Sequence, residues 1–175
     1  MTLYTYKNIA PKIEDGCFVA DSADVIGKVF MGKNSNLWFQ VVARGDVNEI
    51  HIGENTNIQD LSMLHVIDEL PLIIGKNVSV GHKVTLHACT IGDGCLIGMG
   101  ATVLDGAEIG ENSLVAAGSV VPPGKKYPAG SFIIGAPAIV RRPLTSEEID
   151  RYSNHYKSYL ITKEEYQKEV KCLNG

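Results

Sequence analysis

The sequence predicts a mainly β protein, a stack of short parallel strands closed by a C-terminal α-helix, on three observations. Branched or small apolar residues recur every six positions: Ile13, Val19, Val25, Met31, Leu37 and Ala43, then Ile52, Ile58 and Leu64, then Ile74, Val80 and Leu86. After a five-residue step, Ile91, Ile97, Val103, Ile109, Val115 and Val121 continue the series. Glycine often follows the anchor (Gly53, Gly75, Gly81, Gly92, Gly98, Gly110), and a small or β-branched residue stands four after it, as at Thr56, Ser62, Val84, Cys95, Ala101 and Ser113. The third observation is that this rhythm stops near residue 140 and a helical pattern replaces it. A period of six cannot line one helix face, since successive members would be about 600° apart around the axis. It suits strands that send one large and one small side chain inward per hexapeptide, each coil hydrogen-bonding to the next.

The repeat resembles the left-handed parallel β-helix of hexapeptide-repeat proteins, in which three hexapeptides make one triangular coil. On that resemblance the anchors from Ile13 to Val121 make six coils, within a β-helix spanning about residues 10–140. Two interruptions, "RGDVNE" after Ala43 and "HVIDELP" after Leu64, are expected to leave the prism as loops. The tail opens with Thr145 and Glu148 at capping-box spacing, and Ile149, Tyr152, Tyr156, Tyr159 and Leu160 follow at helical intervals. Thr162 and Glu165 repeat the signal, so the helix of about 145–172 is expected to break near Ile161 and to lie on the outside of the prism within one 175-residue domain.

Bulk properties exclude several classes of function. A formal net charge of −4 provides no basic field for nucleic acid. The first sixteen residues hold no charged region followed by an apolar core, and no stretch approaches eighteen apolar residues, so no membrane partner is expected. Cys17, Cys89, Cys95 and Cys172 form no C-x-x-C pair and read as reduced packing residues of a soluble, cytoplasmic protein.

Of five histidines, three fall between residues 65 and 87. Winding the repeat into a prism puts Ala43, Leu64 and Leu86 on one face in successive coils. Arg44, His65 and His87, each one residue later, then point outward as a column with coils about 4.8 Å apart. Asp60 and His82, each two after its anchor, form a second outward column on the preceding face, with Gln59 alongside. The two columns diverge, so His82 is expected to reach the ion held by His65 and His87 of a neighbouring chain, most simply in a homotrimer. Three imidazoles without cysteine suit Zn²⁺, or Fe²⁺ or Co²⁺, with a position left open for water. His51 and His155 read as ordinary surface histidines.

At "RGDVNEIHIGENTNIQDLSMLH" and "VGHKVTLHACTIG" the chain resembles the gamma-class carbonic anhydrases, over about residues 10–160. The resemblance implies that His65, His82 and His87 ligate the metal, with His82 coming from an adjacent subunit. It implies an Arg44–Asp46 ion pair across the trimer interface, Gln59 and Asn57 orienting bound water or bicarbonate, and Asp60 behind the ligands. A tyrosine of the C-terminal helix faces the site; Tyr159 aligns best, with Tyr152 and Tyr156 as competitors. The activity implied is reversible hydration of CO₂ to bicarbonate, with metal-bound hydroxide as nucleophile. The chain departs from the family prototype at Val47, where the prototype has glutamate, and in its short acidic loop, so Asp68 and Glu69 are the remaining proton carriers and low activity is expected. The alternatives are a hexapeptide acyltransferase using acyl-CoA and a metal-stabilised trimeric binding or assembly module.

Overall fold

Short strands joined by tight corners wind into a parallel solenoid of about seven turns in a computed structural model describing residues 2–171 and 173. Cys172 lies outside the described residues. The anchors stack as the spacing requires: Val25, Ala43, Leu64, Leu86, Val103 and Val121 pair in succession, and so do Val19, Leu37, Ile58, Val80, Ile97, Val115 and Ile133. Nearly all are fully buried and fill the axis of the prism. The six coils expected become about seven because Tyr127 and Ile133 continue the same spacing beyond Val121. An antiparallel strand, Ala138–Pro143, then pairs with Ser131–Gly135 and terminates that face.

The "RGDVNE" segment is not a loop. It belongs to an eleven-residue strand, Val42–Ile52, which follows Asp24–Met31 around a corner of the prism and joins two faces into one twelve-stranded sheet. The extra length is absorbed by a register shift between Gly27/Gly45 and Val29/Ile50. Two glycines permit this close passage. A Cβ on Gly45 would stand 2.6 Å from Lys28 O, and one on Gly27, which has φ +72°, would stand 2.5 Å from Gly45 O. Because the opposing atoms are backbone, Gly45→Ala should cost about 1–3 kcal/mol and lower the melting temperature; an unchanged melting curve would show that the strands part freely.

Corner residues in the left-handed region form another column, Gly16, Asn34, Asn55, Asn77, Gly94, Asn112 and Gly130. Asn34 Nδ2 donates to Asn55 Oδ1 at 3.3 Å, and Asn55 Nδ2 to Asn77 Oδ1 at 3.0 Å. Side-chain amides thus tie successive coils where the sheet bonds stop.

Two helices, α1 (Ser146–Ser153) and α2 (Tyr156–Glu169), run back along the outside of the second face. Thr145 and Glu148 form the capping box, and Arg142 clamps both Glu148 oxygens at 2.6 and 2.7 Å. The break falls at Asn154–His155 rather than near Ile161. Asn154 Nδ2 takes the carbonyl of Asp150 at 2.8 Å, whereas the Thr162 hydroxyl donates to Ser158 O at 2.9 Å inside the helix and caps nothing. Trp38 anchors α2 through edge contacts with Tyr159 and Tyr166, at 5.3 and 4.9 Å between centroids. Lys163, 4% exposed, donates to Gly16 O and points its ammonium at Asn34, capping the corner column. Cys89 and Cys95 are buried free thiols whose pKa burial pushes up to about 12. Among the described residues, no helix is long and apolar enough to cross a membrane.

Candidate metal centre

Arg44, His65 and His87 form an outward column, Arg44 paired with His65 and His65 with His87 in successive coils. The register brings the two imidazoles together, with His65 Nδ1 3.0 Å from His87 Nε2. Each outer nitrogen meets a carboxylate: His65 Nε2 lies 3.1 Å from Asp46 Oδ1, and His87 Nδ1 contacts Asp105 Oδ1. Burial pushes the Asp46 carboxyl up, but bonds from His65, the Val47 N–H and Arg44 outweigh it and hold the pKa below the usual carboxylate range. Burial also lowers the pKa of His65, with the Arg44 and His87 charges acting the same way against the pull of Asp46.

This arrangement fits a cation. With the Asp46 and Asp105 carboxyl groups each accepting the N–H at one ring's outer nitrogen, the inner nitrogens would face one another with bare lone pairs at 3.0 Å. The separation is close to the edge of a tetrahedral zinc site with Zn–N bonds of about 2.0–2.1 Å. Carboxylates that fix the outer nitrogens of histidine ligands are a recurring part of such sites.

His82 stands apart from this pair. It occupies the corner column of Asp60 and Met99, and its Nδ1 is 2.9 Å from Asp60 Oδ2, which leaves Nε2 as the outward nitrogen. Asp60 is fixed in turn by the Phe39 N–H at 3.2 Å. The His82 side chain is 42% exposed, against 17% for His65 and 25% for His87. Among the described residues, no three His, Cys, Asp or Glu side chains gather as a metal-binding group within the single chain.

Beside His82 lies a cleft of about 330 Å³ lined by Gln59, Met99, His155 and Tyr159. Gln59 Nε2 donates to Asn57 Oδ1 at 3.1 Å, and both residues are buried. Tyr159 is the helix tyrosine in this cleft; burial, followed by the Asp60 charge, raises its pKa and keeps the phenol protonated. Tyr152 instead packs under Arg151. The Arg44 guanidinium meets Asp46 of its own chain, so this ion pair forms within one chain rather than across an interface as expected, because the two side chains lie two apart on the same side of one strand. Val47 is 41% exposed beside Asp46, and Asp68 and Glu69 occupy the tip of a tight turn closed by Ile67 and Leu70.

Two residues of this region escaped the sequence reading. Asp105 stands two after Val103, the same slot that Asp60 and His82 hold after their anchors, so the counting rule could have found it. His155 is an exposed residue, as expected, but one edge of its ring is engaged: its Nδ1 is 3.1 Å from Ser79 Oγ, and desolvation there lowers its pKa.

A family model described as bacterial transferase hexapeptide (six repeats) matches residues 88–123. A carbonic anhydrase of Geobacillus kaustophilus is 43% identical over 96% of this chain and 92% of its own. An uncharacterised transferase of Bacillus subtilis is 53% identical over 95% and 96%. Among solved structures, a Bacillus cereus protein provisionally assigned as an acetyltransferase superposes with a TM-score of 0.94 at 41% identity, covering 97% of this chain and 98% of that one. The mitochondrial gamma carbonic anhydrase 2 of Arabidopsis thaliana is 44% identical over 91% of this chain, which spans 59% of that relative's length. On this similarity, which covers nearly all of both chains in the bacterial relatives, the chain belongs to the gamma-class carbonic anhydrase family of hexapeptide-repeat proteins.

Proposed function

We propose that the protein catalyses reversible hydration of CO₂ to bicarbonate at sites shared between the subunits of a homotrimer. The observation that carries this reading is the facing of His65 Nδ1 and His87 Nε2 at 3.0 Å, each ring held from behind by a carboxylate. His65 and His87 of one chain and the partner subunit's His82 would hold Zn²⁺, Fe²⁺ or Co²⁺. When bound, such an ion supplies Lewis acidity that brings the pKa of water toward neutrality and makes it a nucleophile toward CO₂. Asp46, Asp105 and Asp60 each hold one imidazole in place. Gln59, braced by Asn57, orients an oxygen at the cleft. Asp46 is a poor proton acceptor because its pKa lies below the ordinary range, so proton export falls to Asp68, Glu69 or buffer.

An apolar collar around His82 supports assembly. Leu61, Met63 and Met99 are 47%, 38% and 58% exposed, on the corner and the adjoining face. Exposed apolar side chains grouped next to a polar site are typical of a surface that another protein covers. A second copy of this chain fits, because its own His65 and His87 lack a third nitrogen donor. The buried thiols of Cys89 and Cys95 suit a reducing compartment, and the cytoplasm is the one we propose.

Acyl transfer is the rival reading, favoured by the transferase descriptions of the Bacillus subtilis and Bacillus cereus proteins. It leaves the paired histidines and their carboxylates without a purpose. A stopped-flow pH-indicator assay on zinc-loaded and on anaerobic iron-loaded protein should show metal-dependent CO₂ hydration and no acetyl transfer from acetyl-CoA. Acetyl transfer that survives metal removal would establish the transferase; silence in both assays with metal bound would leave a metal-stabilised assembly module.

A further inference from the structure

Behind Gln59 a chain of hydrogen bonds runs under α2. Gln59 Nε2 donates to Asn57 Oδ1 at 3.1 Å, and Asn57 Nδ2 reaches Ser79 Oγ at 2.8 Å and Val78 O at 3.4 Å. Ser79 Oγ in turn lies 3.1 Å from His155 Nδ1. Asn57 and Ser79 occupy paired positions on adjacent coils, so the solenoid itself sets their separation. His155 comes from the break between the helices, 76 residues from Ser79 in sequence. Asn57, Ser79 and Gln59 are buried, with exposures of 0%, 1% and 4%, and His155 is exposed on its outer side.

Such a chain has a direction. Val78 O can only accept, so it fixes the NH₂ end of Asn57 toward Ser79 and the carbonyl end toward Gln59. Ser79 Oγ then accepts from Asn57, and its own hydrogen needs an acceptor. An unprotonated His155 Nδ1 provides one. If that nitrogen carried a proton, Ser79 would accept twice and its buried hydroxyl hydrogen would have no partner. Burial, which lowers the His155 pKa, favours the neutral ring. At the other end, Gln59 gives one N–H to Asn57, which turns its NH₂ end toward Asn57 and its Oε1 end toward the cleft it shares with His82 and Tyr159.

We propose that His155 is a positioning residue: as the neutral Nε2–H tautomer it polarises Ser79 and Asn57 so that Gln59 presents its carbonyl oxygen, not its amide, to the cleft. Gln59 is therefore an acceptor and selects an O–H group, as on attacking water or on the protonated oxygen of bicarbonate. That consequence rests on the carbonic anhydrase reading; the relay itself does not.

Nitrogen-detected NMR of the histidine rings in the assembled protein at pH 7.5 should find His155 protonated at Nε2 and bare at Nδ1. An Nδ1–H tautomer or an imidazolium would overturn the proposal. His155→Leu should shift the Gln59 side-chain amide signals, and His155→Asn, whose Oδ1 can accept from Ser79, should restore them. Gln59 signals unmoved by His155→Leu would likewise overturn it. Because Ser79→Ala cuts the same chain with a minimal change of volume, it should reproduce the shift, and adding His155→Leu to it should cost little more. Where CO₂ hydration is measurable, His155→Leu and Ser79→Ala should each lose about tenfold in kcat/KM, the worth of roughly one hydrogen bond, while retaining metal content and melting temperature, and His155→Asn should lose little. Wild-type protein with the tautomer and amide shifts as described but without hydration would refute the carbonic anhydrase reading and leave the relay standing.

Discussion

Mixing equal amounts of His65→Ala and His82→Ala subunits should recover about one quarter of the wild-type metal content, although each variant alone holds essentially none. A complete zinc site binds with about 10–16 kcal/mol, so one ligand of three or four accounts for about 3–4 kcal/mol, or several hundredfold in affinity. Each shared site draws its histidine pair from one chain and His82 from the next. It is intact only when the first chain carries wild-type His65 and the second wild-type His82, which random exchange satisfies in about one half of one half of the sites. His65 and His87 contact each other, whereas His82 is turned to Asp60 on another column. Mixing His65→Ala with His87→Ala should therefore restore nothing, since both defects fall in the same half of every site. Recovery in that control would put the His65 and His87 of one site on different chains, and no recovery in the first mixture after verified subunit exchange would place all three ligands in one chain. Sedimentation of the wild type should give a trimer with about one ion per chain; a metal-replete monomer would also mean that a single chain supplies every ligand.

The column of Arg44, His65 and His87 was legible because an inward anchor fixes the face of its neighbour. With Ala43, Leu64 and Leu86 buried in register, the residue after each must point outward. The same counting separated His82 from the pair. It failed at "RGDVNE", where a break in spacing was read as a loop. The segment stays extended because Asp24–Met31 runs beside it and shifts register to match, a property of two strands that no spacing within one of them reveals. The corner column was missed for a different reason. Single asparagines at turns carry a purely local explanation, their tolerance of the left-handed region, and only stacking shows that their amides also bond to one another. His155 lay beyond reach altogether. The sequence marks it only as a surface histidine, and its contact with Ser79 depends on a helix break that Asn154 makes and the second capping signal misplaces.

Asp105→Asn should weaken metal binding by about 10- to 100-fold while leaving the fold intact, the usual consequence of removing the group behind a histidine ligand. The Asp105 side chain is 40% exposed and belongs to a turn after the buried anchor Val103, so its charge contributes little to packing. Its contact with His87 Nδ1 does two things: it keeps the proton on the outer nitrogen, which leaves Nε2 bare toward His65, and its negative charge makes that nitrogen a stronger donor to a cation. Asparagine can preserve the first through its carbonyl oxygen but not the second, so the variant isolates the charge. Asp105→Leu removes both and should bind more weakly still, because the imidazole is then free to change tautomer and present a protonated nitrogen to the ion. Asp46 is a less clean probe, since its carboxylate also holds the Arg44 guanidinium and the Val47 N–H. Competition against a chromophoric chelator, with melting temperature measured on the same samples, separates affinity from stability. Equal affinities for wild type, Asp105→Asn and Asp105→Leu would mean that packing alone orients His87 and that the carboxylate beside it is incidental.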